Sequence, residues 1–141
     1  MDDTSYSCAG FVDRGLDAAI DSIADAGFPQ TELQGRGPHA KGRVEGKALS
    51  KLRHKLESRG VRARTVHAPS GPTVLGVTDE EWRRKNVIEL GRFIRFTGAI
   101  GATDIVIHPI PNPVFVTNAA DPSVPQLIRE GVRRSLDDLV G

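Results

Sequence analysis

Cysteine is almost absent. Cys8 is the only one in 141 residues, so no disulfide can close within the chain, a pattern that fits a reducing compartment. Aromatic residues make up only 5%, with a single Trp and a single Tyr. An excess of one charge is missing too: 19 Lys and Arg stand against 18 Asp and Glu, a net +1. So small an excess gives no general drive toward nucleic acid or an anionic membrane. No apolar run approaches the roughly 20 residues needed to span a bilayer. The opening residues, with Asp2 and Asp3, lack the basic-then-apolar pattern of a secretory leader. The expectation is a soluble cytoplasmic protein with no membrane partner and no nucleic-acid partner.

What is present suits a globular chain. Hydrophobic residues make up 38% and charged residues 26%, ordinary proportions for one domain over residues 1–141. A chain of this size can bury roughly 68–70% of its unfolded surface.

The strongest pattern is a repeat of apolar stretch, helix and glycine. Between Gly15 and Gly27, the residues Leu16, Ala19, Ile20, Ile23 and Ala24 mark one face of a helix. A second helix is predicted from about Lys47 to Arg59, with Leu49, Leu52 and Leu56 inward and Gly60 closing it. A third is predicted to start with Thr78 as cap and Glu81 completing a capping box, with Val77 and Trp82 as a hydrophobic staple. Its buried face is read as Val87, Leu90, Gly91, Ile94 and Gly98, the glycines implying close backbone approach, and Gly101 ends it. A fourth helix follows Asp121–Pro122, or begins at Pro125, with Ile128, Val132, Leu136 and Leu139 inward.

A short apolar stretch precedes each helix: Ser5–Ala9, Thr31–Gln34, Val61–His67 and Thr103–His108. The last reads as a strand buried on both faces. Alternation of strand and helix implies right-handed βαβ units and a parallel sheet. Periodicity leaves two architectures open, a doubly wound sheet and a barrel. There is no G-x-G-x-x-G, and GRGPHAKG at Gly35–Gly42 lacks the spacing of a phosphate loop. The long segments Gly35–Gly46, Ala68–Val77 and Pro109–Pro122 all follow strands, on the side where such folds build sites.

His67 and His108 end the third and fourth apolar stretches, and Glu32 sits near the end of the second. Neighbouring strands lie about 4.8 Å apart, so side chains at matching heights can converge on one ion. Imidazole suits zinc, iron or manganese. Alternatively, each is a hydrogen-bonded rim residue. His39 lies among Arg36, Lys41 and Arg43 and reads more readily as part of a solvated basic loop than as an anion site. Cys8 either faces the pocket or is a small buried thiol. Asn112 either binds substrate hydroxyls or serves a turn.

Together these residues carry a resemblance. LDAAIDSIADAGFPQTELQG, ALSKLRHKLESRGVRARTVHAP and IRFTGAIGATDIVIHP resemble consecutive units of the xylose-isomerase-like sugar isomerases and epimerases. The resemblance implies an α/β fold made of four βα units of a (β/α)₈ barrel, the N-terminal half, with parallel strands in order 1-2-3-4 and helices on the convex side. A complete barrel of this kind has about 250 residues and eight units. The resemblance also implies a sugar or sugar-phosphate isomerase or epimerase dependent on a divalent metal (zinc, manganese, magnesium or cobalt). Glu32, His67, His108, Cys8 and Asn112 would contact substrate, and His67 and His108 would be metal ligands. The proton-transferring carboxylates would lie in the other half. Two alternatives accompany this reading: a metal-dependent phosphodiesterase resembling endonuclease IV, whose HAP and HP steps are similar to those at His67–Pro69 and His108–Pro109, and a non-catalytic half-barrel assembly module. In every case the open sheet edges, with Val106 or its neighbours Ile105 and Ile107 exposed, should drive homo-oligomerisation or docking onto a second half-barrel.

Overall fold

The computed structural model describes residues 4–36, 39, 44–111, 116 and 118–141. Among the described residues nine elements follow one another: strand β1 (Ser5–Ser7), a 3₁₀ turn (Cys8–Phe11), α1 (Leu16–Asp25), β2 (Gln30–Gln34), α2 (Gly46–Ser58), β3 (Arg62–His67), α3 (Glu80–Ile100), β4 (Asp104–Val106) and α4 (Val124–Val140). All strand pairs are parallel, and the sheet order is β1-β2-β3-β4. That order excludes the doubly wound alternative, which reverses direction at a switch point. The first three helices each end against a glycine with positive φ, 81° at Gly27, 65° at Gly60 and 80° at Gly101, where a Cβ would be strained.

The chain divides into two compact units: Met1–Ala68 with Phe93–Val106, and Pro69–Arg92 with Ile107–Gly141. The first holds the whole sheet. Its core is aliphatic: Leu16, Ile20 and Ile23 of α1, Leu52 and Leu56 of α2, and Leu33 and Val66 of β2 and β3 are all at most 4% exposed. Lys55 and Arg59 of α2 tie back to Asp21 of α1 at 2.5 and 3.0 Å. β4 corrects the expectation of a strand buried on both faces. It is the sheet edge, with Asp104 and Val106 exposed and Ile105 half-buried. The bulge between β2 and β3 skips Arg64, and Arg64, exposed, pairs with Asp104 at 3.3 Å.

The second unit is organised by polar groups. Arg83 in the first turn of α3 has a side chain only 5% exposed. It donates from Nε and Nη2 to both oxygens of Glu80 (2.9 and 3.0 Å) and from Nη1 to Asp138 of α4 at 2.6 Å. Two-pronged guanidinium–carboxylate pairing of this kind combines strength with fixed geometry. Ser135 donates to the Leu75 carbonyl at 2.8 Å, and Asn86 holds the Pro72 and Val74 carbonyls, both at 2.9 Å.

Three details of the helices differ from the sequence reading. The cap of α3 is Asp79, whose Oδ1 accepts from the Trp82 N–H at 2.7 Å, one residue later than Thr78. The buried face of α3 is Arg83, Asn86, Leu90, Phe93, Thr97 and Ile100, while Ile94 is 37% exposed and Gly98 has nothing within 4 Å of a built Cβ. On α4 the most buried positions are Val124, Gly131 and Ser135, and Leu136 is exposed. Close backbone approach occurs at Gly131, where a Cβ would meet the Val77 carbonyl at 2.7 Å.

Two predictions follow from this packing. Gly131→Ala forces backbone against backbone and should cost about 1–3 kcal/mol. Gly98→Ala in open space should stabilise by about 0.5–1 kcal/mol. Chemical denaturation of both variants checks the opposite signs. The second concerns acid. The Arg83, Arg134 and Arg84 guanidiniums hold the Glu80 carboxyl down at about 2. A depressed carboxylate stabilises the fold fully above its unfolded value and loses that contribution as pH falls toward the folded value. Glu80→Gln should therefore narrow the stability gap to wild type as pH falls from about 4.5 toward about 2. A constant gap across that range would remove the carboxylate from the account.

Candidate functional site

In a parallel ladder, residues paired in register share a face, and side chains alternate faces along each strand. The pairing Ser7–Glu32–Thr65–Asp104 makes one row, and Gln34–His67–Val106 the next row on the same face. Leu33 and Val66 occupy the opposite, core-facing positions. The face away from the core is therefore polar at its C-terminal rim, with Ser7, Glu32, Thr65 and His67 half-buried and Gln34 buried.

Glu32 is the best-anchored group there. Its Oε1 accepts from Ser7 Oγ at 2.6 Å and from Gln34 Nε2 at 2.6 Å. Ser7 Oγ in turn accepts from the Ala9 N–H at 3.1 Å and from Gln34 Nε2 at 3.2 Å. The hydroxyl proton is thereby committed to the carboxylate. Hydrogen bonds to a charged acceptor contribute roughly 1.5–3 kcal/mol each, enough to fix one oxygen of Glu32 and aim the carboxylate. Ser7 and Gln34 escaped the sequence reading. The available signal was the period of two, which puts Gln34 on the Glu32 side of β2.

Cys8 lies next to this cluster but inside the protein. It is 0% exposed, and its Sγ meets Thr31 Oγ1 at 3.3 Å. Burial, and to a smaller degree the charge of Glu32, push the thiol pKa up, while the Thr31 contact opposes them. Of the two sequence readings, the small buried thiol is the one observed, which removes Cys8 from the surface a substrate would touch.

His67 ends β3 as expected and is half-buried. Its Nδ1 donates to the Ala68 carbonyl at 2.9 Å, which fixes the tautomer with the proton on Nδ1. His108 does not end a strand: β4 stops at Val106, and His108 follows in the second unit. It is half-buried there, and its carbonyl accepts from the Leu75 N–H at 3.2 Å. Asn112 lies outside the described residues. Among the described residues, no three His, Cys, Asp or Glu side chains come together in a group that could hold a metal ion.

His39 is a correction. It is 1% exposed rather than solvated, and its Nε2 donates to the carbonyls of Phe11 and Arg14 at 3.1 and 2.9 Å. Both carbonyls belong to the connection that leaves β1, so the segment after β2 is tied to the segment after β1. No helix among the described residues is long and apolar enough to cross a membrane.

The architecture has known counterparts. Over 96% of its length the chain superposes on a D-tagatose 3-epimerase-like protein (TM-score 0.73, 19% identity, 46% of that chain). It superposes equally well on a 3-keto-D-glucoside 4-epimerase from E. coli (TM-score 0.73, 18% identity, 96% of this chain and 49% of that one). A xylose isomerase domain protein from Planctomyces limnophilus matches at TM-score 0.57 and 20% identity, covering 96% and 48%. The fold shared with these structures is a run of four parallel βα units in order 1-2-3-4, about half of a TIM barrel. The chain spans about half the length of each of these structures. No protein-family description and no curated protein matches it.

The burial of Cys8 generates a prediction. In the folded protein at neutral pH, iodoacetamide should leave the thiol unmodified, and denaturant should expose it to rapid alkylation. Equal rates in the two states, read by mass spectrometry, would contradict the closed environment around Sγ.

Proposed function

We propose that this chain forms one half of a sugar or sugar-phosphate isomerase or epimerase, with the rim around Glu32 as its share of the substrate pocket. The observation that carries the reading is the Glu32 carboxylate, fixed through Oε1 by Ser7 and Gln34 on the same face as His67. An anchored carboxylate is suited to accept a hydrogen bond from a sugar hydroxyl through its other oxygen. The tautomer-fixed imidazole of His67 sits one row further along the same rim. The fold supports the reading, since the similar structures include an epimerase acting on a 3-keto-glucoside and a protein likened to D-tagatose 3-epimerase.

Such reactions move a proton beside a carbonyl, or shift a hydride. On this reading Glu32 orients the substrate by its hydroxyls, and His67 and His108 contribute polar contacts. Asn112 is assigned the same kind of contact. The proton-transferring carboxylates come from a complementary half. A divalent metal would polarise the substrate oxygens. Among the described residues no three such donors form a group that could hold a metal ion, so on this reading a metal also takes ligands from that other half.

The test is titration of the folded chain with a ketohexose such as D-fructose, followed by calorimetry or by amide chemical shifts. Glu32→Gln keeps the size of the side chain and its anchoring oxygen but removes the charge. It should weaken binding about tenfold, which corresponds to about 1.4 kcal/mol. Unchanged affinity in that variant, or no binding by folded wild type, would sink the reading.

A further inference from the structure

The hydrogen bonds around Glu32 have a direction. A serine hydroxyl carries one proton and two acceptor positions, and a glutamine amide carries two N–H donors. Ser7 Oγ gives its proton to Glu32 Oε1 at 2.6 Å, and accepts from the Ala9 N–H at 3.1 Å and from Gln34 Nε2 at 3.2 Å. Its proton and both acceptor positions are then engaged. Gln34 Nε2 donates to Glu32 Oε1 at 2.6 Å and to Ser7 Oγ at 3.2 Å, which engages both amide protons as well. These contacts also fix which way the amide is turned, since its carbonyl oxygen in place of Nε2 would set acceptor against acceptor at Glu32.

What is left on this side of the rim is acceptor capacity. Both side-chain bonds fall on Glu32 Oε1, and among the described residues none falls on Oε2. Thr65, level with Glu32, adds a hydroxyl that can turn either way. Gln34 is 5% exposed and Glu32 half-buried, so the network is partly shielded from the water that would otherwise compete for it. It closes within β1, the turn after it and β2, all in one compact unit. Its saturation is therefore independent of whatever covers the rest of the sheet.

We infer that Ser7 and Gln34 are positioning residues that make this part of the rim select hydrogen-bond donors and turn away anions. The neutral, hydroxyl-bearing end of the sugar lies against β1 and β2, and a phosphate, where the sugar carries one, is held elsewhere. A hydroxyl brought to Oε2 meets an acceptor whose other oxygen is already held, so little freedom is lost on binding. An anion brought there meets a carboxylate, with the Ser7 and Gln34 donors committed inward. The inference rests on the sugar reading proposed above and narrows it to the end of the substrate that this rim takes.

Nuclear magnetic resonance of the full chain provides the test. Without ligand, both Gln34 side-chain amide protons should exchange slowly with solvent, and Ser7→Ala should speed the exchange of one of them. D-fructose should shift the Gln34 side-chain signals through Glu32. Inorganic phosphate at the same concentration should neither shift them nor displace the sugar. Gln34→Met keeps the bulk of the side chain and removes both donors. It should retain its circular dichroism spectrum and bind D-fructose about tenfold more weakly, the scale set by one hydrogen bond to a charged group. Phosphate that competes with D-fructose at these signals would overturn the inference, and so would a folded Gln34→Met variant of wild-type affinity. In both cases the sugar reading stands. Folded wild type that does not bind D-fructose removes the sugar reading instead, and the inference with it. If Gln34→Met does not fold, the phosphate competition decides.

Discussion

Parallel registry across four short strands is the constraint on which the rest depends. Because β1, β2 and β3 are paired residue for residue at Ser7, Glu32 and Thr65, alternation decides which side chains meet and which go to the core. Leu33 and Val66 are driven inward, and Glu32, Gln34 and His67 are left on the other face. A one-residue slip between β1 and β2 would move Ser7 away from Glu32 and leave the carboxylate with Gln34 as its remaining anchor among these. The apolar core and the polar rim are therefore two readings of a single ladder. The aliphatic packing of α1 and α2 against Leu33 and Val66 stabilises the ladder and, with it, the site.

The second unit solves a different problem. Its described residues include no β-strand, and beside Leu90 its buried helix positions include small and polar residues: Gly131, Ser135, Asn86 and Arg83. Small residues let α4 approach the Val77 backbone closely, and the freed backbone carbonyls of Pro72, Val74 and Leu75 are each met by a side-chain donor. Buried backbone acceptors need such partners. Burying Arg83 is tolerable because Glu80 and Asp138 surround its guanidinium; a buried charge left unpaired would be strongly destabilising.

Much of the architecture was legible in the sequence. The spacing of Leu16, Ala19, Ile20 and Ile23 gave α1 nearly to the residue, and the glycines after α1, α2 and α3 all adopt the left-handed conformation expected of them. What escaped had physical causes. Along α3 and α4 hydrophobicity is an incomplete guide, because the inward positions there include Asn86, Gly131 and Ser135, which hydrogen-bond or make room instead of excluding water. The β4 segment looks doubly buried by composition, but edge position is a property of the sheet and not of the strand. At the site, the rim positions of Glu32 and His67 could be read from strand ends. Ser7 could not, because its significance comes from cross-strand pairing with Glu32; Gln34 shares the Glu32 side by the period of two, but its role shows only in its contacts with Glu32 and Ser7. His39 hid among basic neighbours, and nothing local reveals that its partners are the Phe11 and Arg14 carbonyls, 28 and 25 residues earlier.

That last contact bears on how the rim can change. Loops on the catalytic side of α/β barrels are often regarded as separately exchangeable parts, each free to vary without disturbing the next. Here the imidazole of one connection satisfies main-chain carbonyls of another. A replacement loop after β2 that lacks this donor would take it from the Arg14 carbonyl and leave the Phe11 carbonyl with the Arg14 N–H. Conversely, a shortened turn at Phe11–Arg14 would leave His39 buried without them. The two connections are thus coupled through one side chain. Recombination breakpoints, grafted loops and designed chimeras should respect the pair, keeping both segments from the same parent.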